Sequence, residues 1–243
     1  MIDLHCHILP SLDDGSQSLG ESLAMAAMAA KSGVVAIAAT PHCVDGSASE
    51  VRDRVLLLRE ALEEAEIPLQ ILMGMEIFGT EHTAHLLRCG RLLTLNHSRY
   101  PLVEFGFRGA GERETEILYD VIQAGYRPIV AHPERYEYVQ ENPELIDLWF
   151  NMGCLLQVNR GSLLGRFGTA AQEMGMELVK RGFATLVASD GHSPRMRTPW
   201  MADVRELLSR EFSPGVARQL LRENPQQILR NQTLDPVEPE WFS

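Results

Sequence analysis

The chain opens with Met1-Ile2-Asp3-Leu4-His5-Cys6-His7, an apolar start that runs directly into two histidines one residue apart. Alternate side chains of a β-strand project from the same face, so His5 and His7 would point together and Cys6 away from them. Paired imidazoles bring polar nitrogens that need partners, which makes them poor core filler. At a strand end they can instead bind a divalent metal ion. The stretch therefore predicts a first strand and two candidate ligands.

Six further apolar stretches recur along the chain, at 34–40, 69–76, 102–105, 128–132, 154–159 and 184–189. Most are continuously hydrophobic, which is typical of parallel strands buried on both faces. Helical patterns separate them, at 19–32, 51–66, 112–124, 144–152, 173–181, 200–210 and 216–223. Ser18 and Glu21, for example, form a capping-box pattern at the first of these. Such β-α units in series favour a closed or nearly closed α/β barrel, although an open doubly wound sheet also fits the pattern.

The composition is that of an acidic globular protein. The chain has 243 residues, of which 45% are hydrophobic and 23% charged, and its formal net charge is −11. This charge argues against nonspecific binding of nucleic acid, which requires a basic surface. No linker or low-complexity tract interrupts the chain, so we expect a single barrel domain over 1–231 and an irregular tail over 232–243.

The sequence also predicts a cytoplasmic protein without membrane insertion. Asp3 and His5 interrupt the N-terminus where a signal peptide would carry a basic start and an apolar run. No stretch approaches the roughly 18 apolar residues of a membrane span. The four cysteines form no Cys-x-x-Cys pair, which fits a reducing compartment and buried, unpaired thiols.

Most of the predicted strands end in His, Asp or Glu. A barrel gathers the carboxyl ends of its strands at one mouth, so these residues would meet there from distant parts of the chain. Any one of them alone would more often be a solvated loop residue or a core histidine, but their coincidence predicts a multinuclear metal site. Imidazole and carboxylate ligands without thiolate suit zinc, manganese or iron. The residues expected at the mouth are His5, His7, His42, Glu76, Glu104, His132, Asp190 and His192, with Asp13 and Asp14 from the loop after the first strand.

Several motifs resemble those of the PHP (polymerase and histidinol phosphatase) superfamily. They are Met1-Ile2-Asp3-Leu4-His5-Cys6-His7-Ile8-Leu9-Pro10, Asp13-Asp14-Gly15, Ala39-Thr40-Pro41-His42, Gly74-Met75-Glu76, Ala131-His132-Pro133-Glu134-Arg135-Tyr136, Gly161-Ser162-Leu163-Leu164-Gly165 and Ala188-Ser189-Asp190-Gly191-His192. More narrowly, the chain resembles the manganese-dependent bacterial protein-tyrosine phosphatases encoded with capsule and exopolysaccharide genes. Histidinol-phosphate phosphatases share the ligands but not the motifs at 132–136 and 161–165.

The resemblance implies a distorted (β/α)7 barrel of the PHP type that holds three divalent ions, most often Mn²⁺, with Zn²⁺ or Fe as alternatives. The ligand sets would be His5, His7, Glu76 and Asp190 for the first ion, Glu76, Glu104 and His132 for the second, and Asp14, His42 and His192 for the third. Asp13 matches no family ligand and is expected to be an ordinary loop residue. Arg135 and Arg197, on loops at the mouth, would bind phosphate oxygens. The role of Arg160 stays open.

We therefore predict a metal-dependent phosphomonoesterase acting on protein phosphotyrosine. Four ligand carboxylates and three divalent ions would leave a positive mouth, which a phosphomonoester dianion neutralises, and metal-activated hydroxide would attack phosphorus in line. The resemblance implies the tyrosine-rich tail of a membrane-associated bacterial tyrosine autokinase as the substrate, in the control of capsule or exopolysaccharide synthesis. Two alternatives stay open: a small-molecule phosphatase such as a histidinol-phosphate phosphatase, and a noncatalytic, regulatory metal-binding module.

A competing motif lies between Cys154 and Arg160, whose spacing fits the Cys-x5-Arg pattern of cysteine-dependent tyrosine phosphatases. That chemistry requires a loop of small residues whose N–H groups surround the phosphate. The intervening Leu-Leu-Gln-Val-Asn instead predicts a strand, with Cys154 at the end remote from the mouth. The sequence thus favours metal-dependent over thiol-dependent chemistry.

Overall fold

The computed structural model describes residues 1–43 and 48–234. Its strands are β1 (Ile2–Cys6), β2 (Ala36–Ala39), β3 (His42–Cys43), β4 (Gln70–Met73), β5 (Glu76–Phe78), β6 (Leu102–Glu104), β7 (Ile129–Ala131), β8 (Leu155–Asn159) and β9 (Ala184–Ala188). Its α-helices are α1 (Leu19–Lys31), α2 (Ala48–Glu64), α3 (Thr83–Arg88), α4 (Glu112–Gln123), α5 (Glu137–Glu141), α6 (Glu144–Asn151), α7 (Arg160–Leu163), α8 (Thr169–Lys180), α9 (Ala202–Glu211), α10 (Pro214–Arg218) and α11 (Asn224–Leu229). Short 3₁₀ segments occur at Leu95–His97 and Pro133–Arg135, and a π-helical segment at Gln219–Glu223.

The strands pair in parallel and form a distorted ring. Within the described residues there are two sheets, with the orders β1-β2-β4 and β3-β5-β6-β7-β8-β9. β2 and β4 pair in one sheet, and along the chain they lead into β3 and β5, which pair in the other sheet. Each of these two barrel positions is therefore occupied by a broken strand. The ring closes where Asp190 N–H donates to His5 O at 2.9 Å and His7 N–H donates to Gly191 O at 2.8 Å. This closure supports the predicted barrel against the open sheet.

The break between β4 and β5 was not predicted, since the apolar stretch 69–76 continues through it. Gly74 lies at the break, and a Cβ atom there would lie 2.8 Å from Leu95 Cδ2 and 3.0 Å from Thr40 Cγ2. Any larger residue would therefore force the side chain of Leu95 or Thr40 to move, so glycine favours this close approach. As a result, Glu76 begins β5 instead of ending a strand, and His42 begins β3 in the same way.

The barrel strands are buried on both faces, as their continuous hydrophobicity predicts. One buried cluster includes Leu102 and Ala188. Leu102 lies two residues before Glu104, and Ala188 two residues before Asp190, so each shares a strand face with a polar residue of the mouth. This cluster fills the interior beneath the mouth. A larger cluster packs the opposite faces against the surrounding helices. The polar mouth thus rests on a buried, largely apolar layer, which fixes the strand ends relative to one another.

The ends of the chain and of its helices match the predictions in part. Ser18 Oγ accepts a hydrogen bond from Glu21 N–H at 3.2 Å, but the Glu21 carboxylate accepts from Gln17 N–H at 2.9 Å, so the capping box is only half formed. Most of the tail predicted over 232–243 lies outside the described residues. No helix within 1–43 or 48–234 combines the length and apolar character needed to cross a bilayer.

Candidate metal centre

The nine residues predicted as metal ligands lie together at one end of the barrel. Their ligand atoms form four overlapping groups, within each of which the atoms lie within 4.8 Å of one another. The groups are His7, Asp14, His42 and His192; His5, His7 and Asp190; His5, Glu76 and His132; and His42, Glu76 and Glu104. Because they share members, they form one continuous cluster of candidate ligand atoms.

Glu76 is the centre of this cluster. Its Oε2 lies 3.1 Å from each of His5 Nε2, His7 Nε2 and His42 Nδ1. Its Oε1 lies 2.9 Å from His132 Nε2. Burial raises the pKa of this carboxyl, but the neighbouring histidines, His5 above all, outweigh burial and hold the pKa well below its usual range. Glu76 is therefore an ionised carboxylate with both oxygens directed at imidazoles, the arrangement that a bridging ligand requires.

Several atoms of the cluster are buried without a hydrogen-bond partner in the described part of the chain. They include Glu76 Oε2, Asp190 Oδ1 and His192 Nε2. A buried polar atom without a partner costs about 1–3 kcal/mol, so a group of them is unfavourable unless another species binds there. Oxygen and imidazole nitrogen atoms are what Mn²⁺, Zn²⁺ and Fe²⁺ accept as ligands. The residues at the mouth therefore fit bound divalent cations.

The two histidines of the opening strand carry protons when no cation is bound. Burial lowers the pKa of His5, but the charges of Glu76 and Asp190 raise it further, to about 9. The pKa of His7 is likewise raised to about 9, because the carboxylates of Asp13 and Glu76 outweigh burial. Cation binding at this centre must therefore release protons.

Two residues that were not predicted as ligands orient His5 in β1 and His7, which directly follows the strand. Asp13 Oδ2 accepts from His7 Nδ1 at 2.6 Å and from His42 N–H at 2.9 Å. Gln157 Oε1 accepts from His5 Nδ1 at 2.9 Å. Each contact places the proton on Nδ1 and leaves Nε2 free to face the cluster. The expectation that Asp13 is an ordinary loop residue is therefore wrong.

The signal for these orienting residues was present in the sequence but was not used. Gln157 and Asn159 alternate within an otherwise apolar strand, and Asn159 Nδ2 donates to Asp190 Oδ2 at 2.7 Å. Polar residues at a spacing of two in a buried strand share one face, here the face toward the site. For Asp13, the cue was Gly15, two positions further along the chain. A Cβ at this glycine would lie 2.3 Å from His7 O, so the loop packs directly on the strand end.

Arg135 and Arg197 lie between the buried cluster and solvent. Both donate to Asp190 Oδ2, at 3.1 Å and 2.5 Å. The guanidinium carbon of Arg135 also lies 4.7 Å from the ring centre of Phe107 and 4.2 Å from that of Phe167. The side chains of Arg135 and Arg197 are 16% and 32% exposed, so each can present N–H groups to an anion that enters the mouth.

Three residues of the mouth have a left-handed backbone. The φ angles are 35° for His132 and 50° for both Asp190 and Arg197. Residues other than glycine rarely adopt this conformation, which costs on the order of 1–2 kcal/mol each. The surrounding hydrogen bonds maintain it. In this conformation Arg197 Nη2 donates to Asp190 Oδ2, and His132 Nε2 lies 2.9 Å from Glu76 Oε1.

Two further residues of the motif at 131–136 hold the strand ends together. The buried Glu134 Oε1 accepts from Asn159 N–H at 2.9 Å and from Ser162 Oγ at 2.6 Å. The Tyr136 hydroxyl donates to Ala131 O at 2.8 Å and accepts from Phe105 N–H at 3.0 Å. These contacts connect the ends of β6, β7 and β8 beneath the cluster, a role that the sequence alone did not indicate.

The Cys-x5-Arg motif does not form a phosphate-binding loop. Cys154 directly precedes β8, and burial raises the pKa of its thiol to about 12, so it holds no thiolate at neutral pH. Arg160 is buried, with Nε and Nη2 donating to the carboxylate of Asp203 at 2.7 Å and 2.5 Å. The structure thus excludes the thiol mechanism and shows Arg160 to be engaged in an ion pair between α7 and α9.

Comparison with known proteins agrees with this geometry. Residues 1–230 match the model of a family described as "Capsular polysaccharide synthesis, CpsB/CapC". The chain belongs to this family. Among curated CpsB/CapC-like proteins, it is 35% identical to tyrosine-protein phosphatase YwqE of Bacillus subtilis, over 99% of this chain and 96% of that protein. It is 31% identical to tyrosine-protein phosphatase CpsB of Streptococcus agalactiae, over 95% of this chain and 99% of that protein.

Solved structures confirm the barrel. A chain from a study of YwqE from Bacillus subtilis and CpsB from Streptococcus pneumoniae, described as metal-dependent tyrosine phosphatases, has a TM-score of 0.92 at 35% identity and covers 98% of both chains. The lactonase Lmo2620 from Listeria monocytogenes has a TM-score of 0.58 at 13% identity, covering 96% of this chain and 95% of its own. The second similarity concerns the fold alone. It shows that this CpsB/CapC chain shares the (β/α)-barrel fold.

Proposed function

We propose that this chain is a metal-dependent phosphatase that hydrolyses phosphotyrosine in proteins. The observation that carries the proposal is the ionised Glu76, which faces four imidazoles at the barrel mouth. The tyrosine-phosphatase activity named for its CpsB and YwqE relatives supports it. When bound, divalent ions would attract the phosphate and lower the pKa of a coordinated water toward 7.

We further propose three ions, with manganese as the native metal. The ligand sets follow the sequence: His5, His7, Glu76 and Asp190; Glu76, Glu104 and His132; and Asp14, His42 and His192. The overlap of the four spatial groups through Glu76 and His7 supports closely spaced ions. The third set is the most open to solvent, since the side chains of Asp14 and His42 are 64% and 38% exposed. We expect this set to release its ion most readily.

The chain's own residues would then position the phosphate. Arg135 and Arg197 donate N–H groups to non-bridging oxygens and stabilise the charge that develops as phosphorus is attacked. Their shared contact with Asp190 fixes both guanidinium groups relative to the ions. Tyrosine is a good leaving group because its pKa is about 10, so we assign no general acid.

The aromatic rim of the mouth favours phosphotyrosine over an alkyl phosphate. Phe107 and Phe167 lie on either side of Arg135, and the Phe107 ring is 43% exposed. An exposed phenyl face at this position can stack on the ring of a tyrosine, whereas an imidazolyl-alkyl phosphate offers less aromatic surface. We propose as the substrate the tyrosine-rich tail of a membrane-associated tyrosine kinase that regulates capsule or exopolysaccharide synthesis. The four free thiols support the cytoplasm as the place where this happens.

Metal reconstitution tests this function directly. Metal-stripped protein is assayed with Mn²⁺, Zn²⁺ or Fe²⁺ on a phosphotyrosine peptide and on histidinol phosphate. We expect the peptide to be hydrolysed with Mn²⁺ and hydrolysis to stop on chelation. His132→Ala should lower the hydrolysis rate at least 100-fold. His85→Ala, at an exposed histidine outside the cluster, is the matched control. Turnover of histidinol phosphate alone would support the small-molecule alternative. No turnover of either substrate with any metal would support a noncatalytic module.

A further inference from the structure

A cavity of about 350 Å³ lies directly beside the candidate metal centre. Its polar wall contains Arg160, Arg166, Arg195 and Arg197, and its apolar wall contains Phe167 and Met196. We refer to it as the arginine cleft. We propose that the arginine cleft binds an acidic side chain of the substrate peptide, a few residues from the phosphotyrosine. This inference rests on the proposed function and specifies which peptides the site prefers.

The cleft has positive charge that residues 1–43 and 48–234 neutralise only in part. Arg160 is paired with Asp203. Arg166 only approaches the same carboxylate, at 3.9 Å, with a half-exposed side chain. Arg195 is exposed and forms no ion pair with any residue in the described ranges. Clustered like charges repel, so these guanidinium groups are stabilised by an anion from outside. In a protein with a net charge of −11, such a basic site is a local exception.

The cleft is continuous with the metal centre through Arg197. This residue lines the cleft, and its Nη2 lies 2.5 Å from Asp190 Oδ2 at the centre. An extended peptide advances about 3.3 Å per residue, so residues next to a bound phosphotyrosine would pass over the cleft. Arg195 is two positions from Arg197, on the solvent side. A carboxylate one to three residues from the phosphotyrosine therefore fits the spacing.

The apolar wall favours an acidic residue with a methylene stem. Phe167 lies between the cleft and Arg135, whose guanidinium carbon is 4.2 Å from its ring centre. Met196 is 78% exposed, which is unusual for a side chain of its size. Glutamate could pack its methylene groups on these two residues while its carboxylate reaches Arg166 and Arg195. We therefore expect glutamate to bind better than aspartate.

Kinetics on matched peptides test the inference with the full-length, metal-loaded protein. The peptides differ only in carrying Glu, Gln or Lys one to three residues from the phosphotyrosine. We expect kcat/KM to be about 3- to 10-fold higher for Glu than for Gln, mainly through KM, and the difference to shrink at 0.5 M salt. Equal kcat/KM for the Glu and Gln peptides at low salt would overturn the proposal.

Variants separate the cleft from the catalytic centre. The double variant Arg166→Ala/Arg195→Ala should lose the preference for Glu while hydrolysing p-nitrophenyl phosphate, which has no flanking residues, at the wild-type rate. Arg230→Ala is the matched control. Arg230 is exposed and directly follows α11. Leu229 O, at the end of that helix, accepts from Asn96 Nδ2 ahead of β6, at the opposite end of the barrel. Arg195→Glu should shift the preference to the Lys peptide, a gain that a folding defect would not produce. A preference for Glu that survives the double variant would refute the cleft.

A binding measurement keeps the cleft testable if no phosphotyrosine peptide is hydrolysed. In the same peptides, phosphonomethyl-phenylalanine replaces phosphotyrosine, and fluorescence anisotropy reports affinity without turnover. Tighter binding of the Glu peptide, lost in the double variant, would uphold the cleft even if the proposed activity fails. Equal binding of the Glu and Gln peptides would reject the cleft even if the activity is found.

Discussion

Asp13 offers the sharpest test of how the metal centre is organised. Its carboxylate accepts hydrogen bonds from His7 Nδ1 at 2.6 Å, His42 N–H at 2.9 Å and Gly15 N–H at 3.0 Å. It therefore orients one proposed ligand and the backbone of another, and it belongs to none of the four groups of candidate ligand atoms. In Asp13→Ala all three hydrogen bonds are lost. In Asp13→Asn one oxygen remains, but the amide N–H₂ group faces a donor.

The expected loss of Mn²⁺ affinity follows from these contacts. Removing the partner of a ligating histidine typically weakens metal affinity 10- to 100-fold, because the ring loses its tautomer and its orientation. Asp13 orients His7 and also holds the backbone of His42. Asp13→Ala should therefore weaken Mn²⁺ affinity by about 100-fold, the upper end of this range. Asp13→Asn keeps a neutral hydrogen bond to His7, so its Mn²⁺ affinity should fall by only about 10-fold. The nine proposed ligands remain in both variants, so turnover at saturating metal should fall less than affinity.

Competition with a fluorescent chelator measures Mn²⁺ affinity, and phosphotyrosine-peptide hydrolysis at rising Mn²⁺ measures its consequence. Asp120→Asn, an exposed carboxylate on α4, is the matched control. Wild-type Mn²⁺ affinity in both Asp13 variants would refute the reasoning. So would a loss of turnover that excess Mn²⁺ does not restore, because Asp13 would then act in the chemical step itself.

Three further predictions concern Arg160, Tyr136 and Cys154. Arg160→Ala removes the ion pair with Asp203, whose side chain is 34% exposed and stays hydrated. We therefore expect the free energy of unfolding in urea to fall by about 2 kcal/mol. Turnover of p-nitrophenyl phosphate per folded molecule should be unchanged. Tyr136→Phe leaves two buried backbone groups unpaired and should lower the free energy of unfolding by about 2–4 kcal/mol; an unchanged urea midpoint would contradict the role given to its hydroxyl. Cys154→Ser should keep phosphatase activity within about twofold, since the thiol pKa is about 12, and an inactive variant would overturn the metal-dependent mechanism. In thiol labelling at pH 8, the exposed Cys89 should react before Cys154.

The sequence predicted the features that have a local pattern. Continuous apolar stretches located the barrel strands, and the polar residues that follow them, such as His132 and Asp190, identified the mouth. The break at Gly74 was not predictable from periodicity, because the apolar stretch is the same with or without it. The Arg160–Asp203 pair joins residues 43 positions apart and has no local signature. The hydrogen-bond partners of side chains in loops depend on tertiary packing, which cannot be deduced from a single sequence.

The left-handed backbone of His132, Asp190 and Arg197 sets a limit on how this enzyme can be improved. Each residue is held in a conformation that glycine would adopt without strain, so glycine at any of the three relieves about 1–2 kcal/mol while deleting a side chain that the mouth requires. At Asp190 this relief is offset by the loss of the hydrogen bonds from Asn159, Arg135 and Arg197, so the strain and the contacts at the mouth are tied to each other. Engineering for durability should hold all three constant and seek its gains at the opposite end of the barrel.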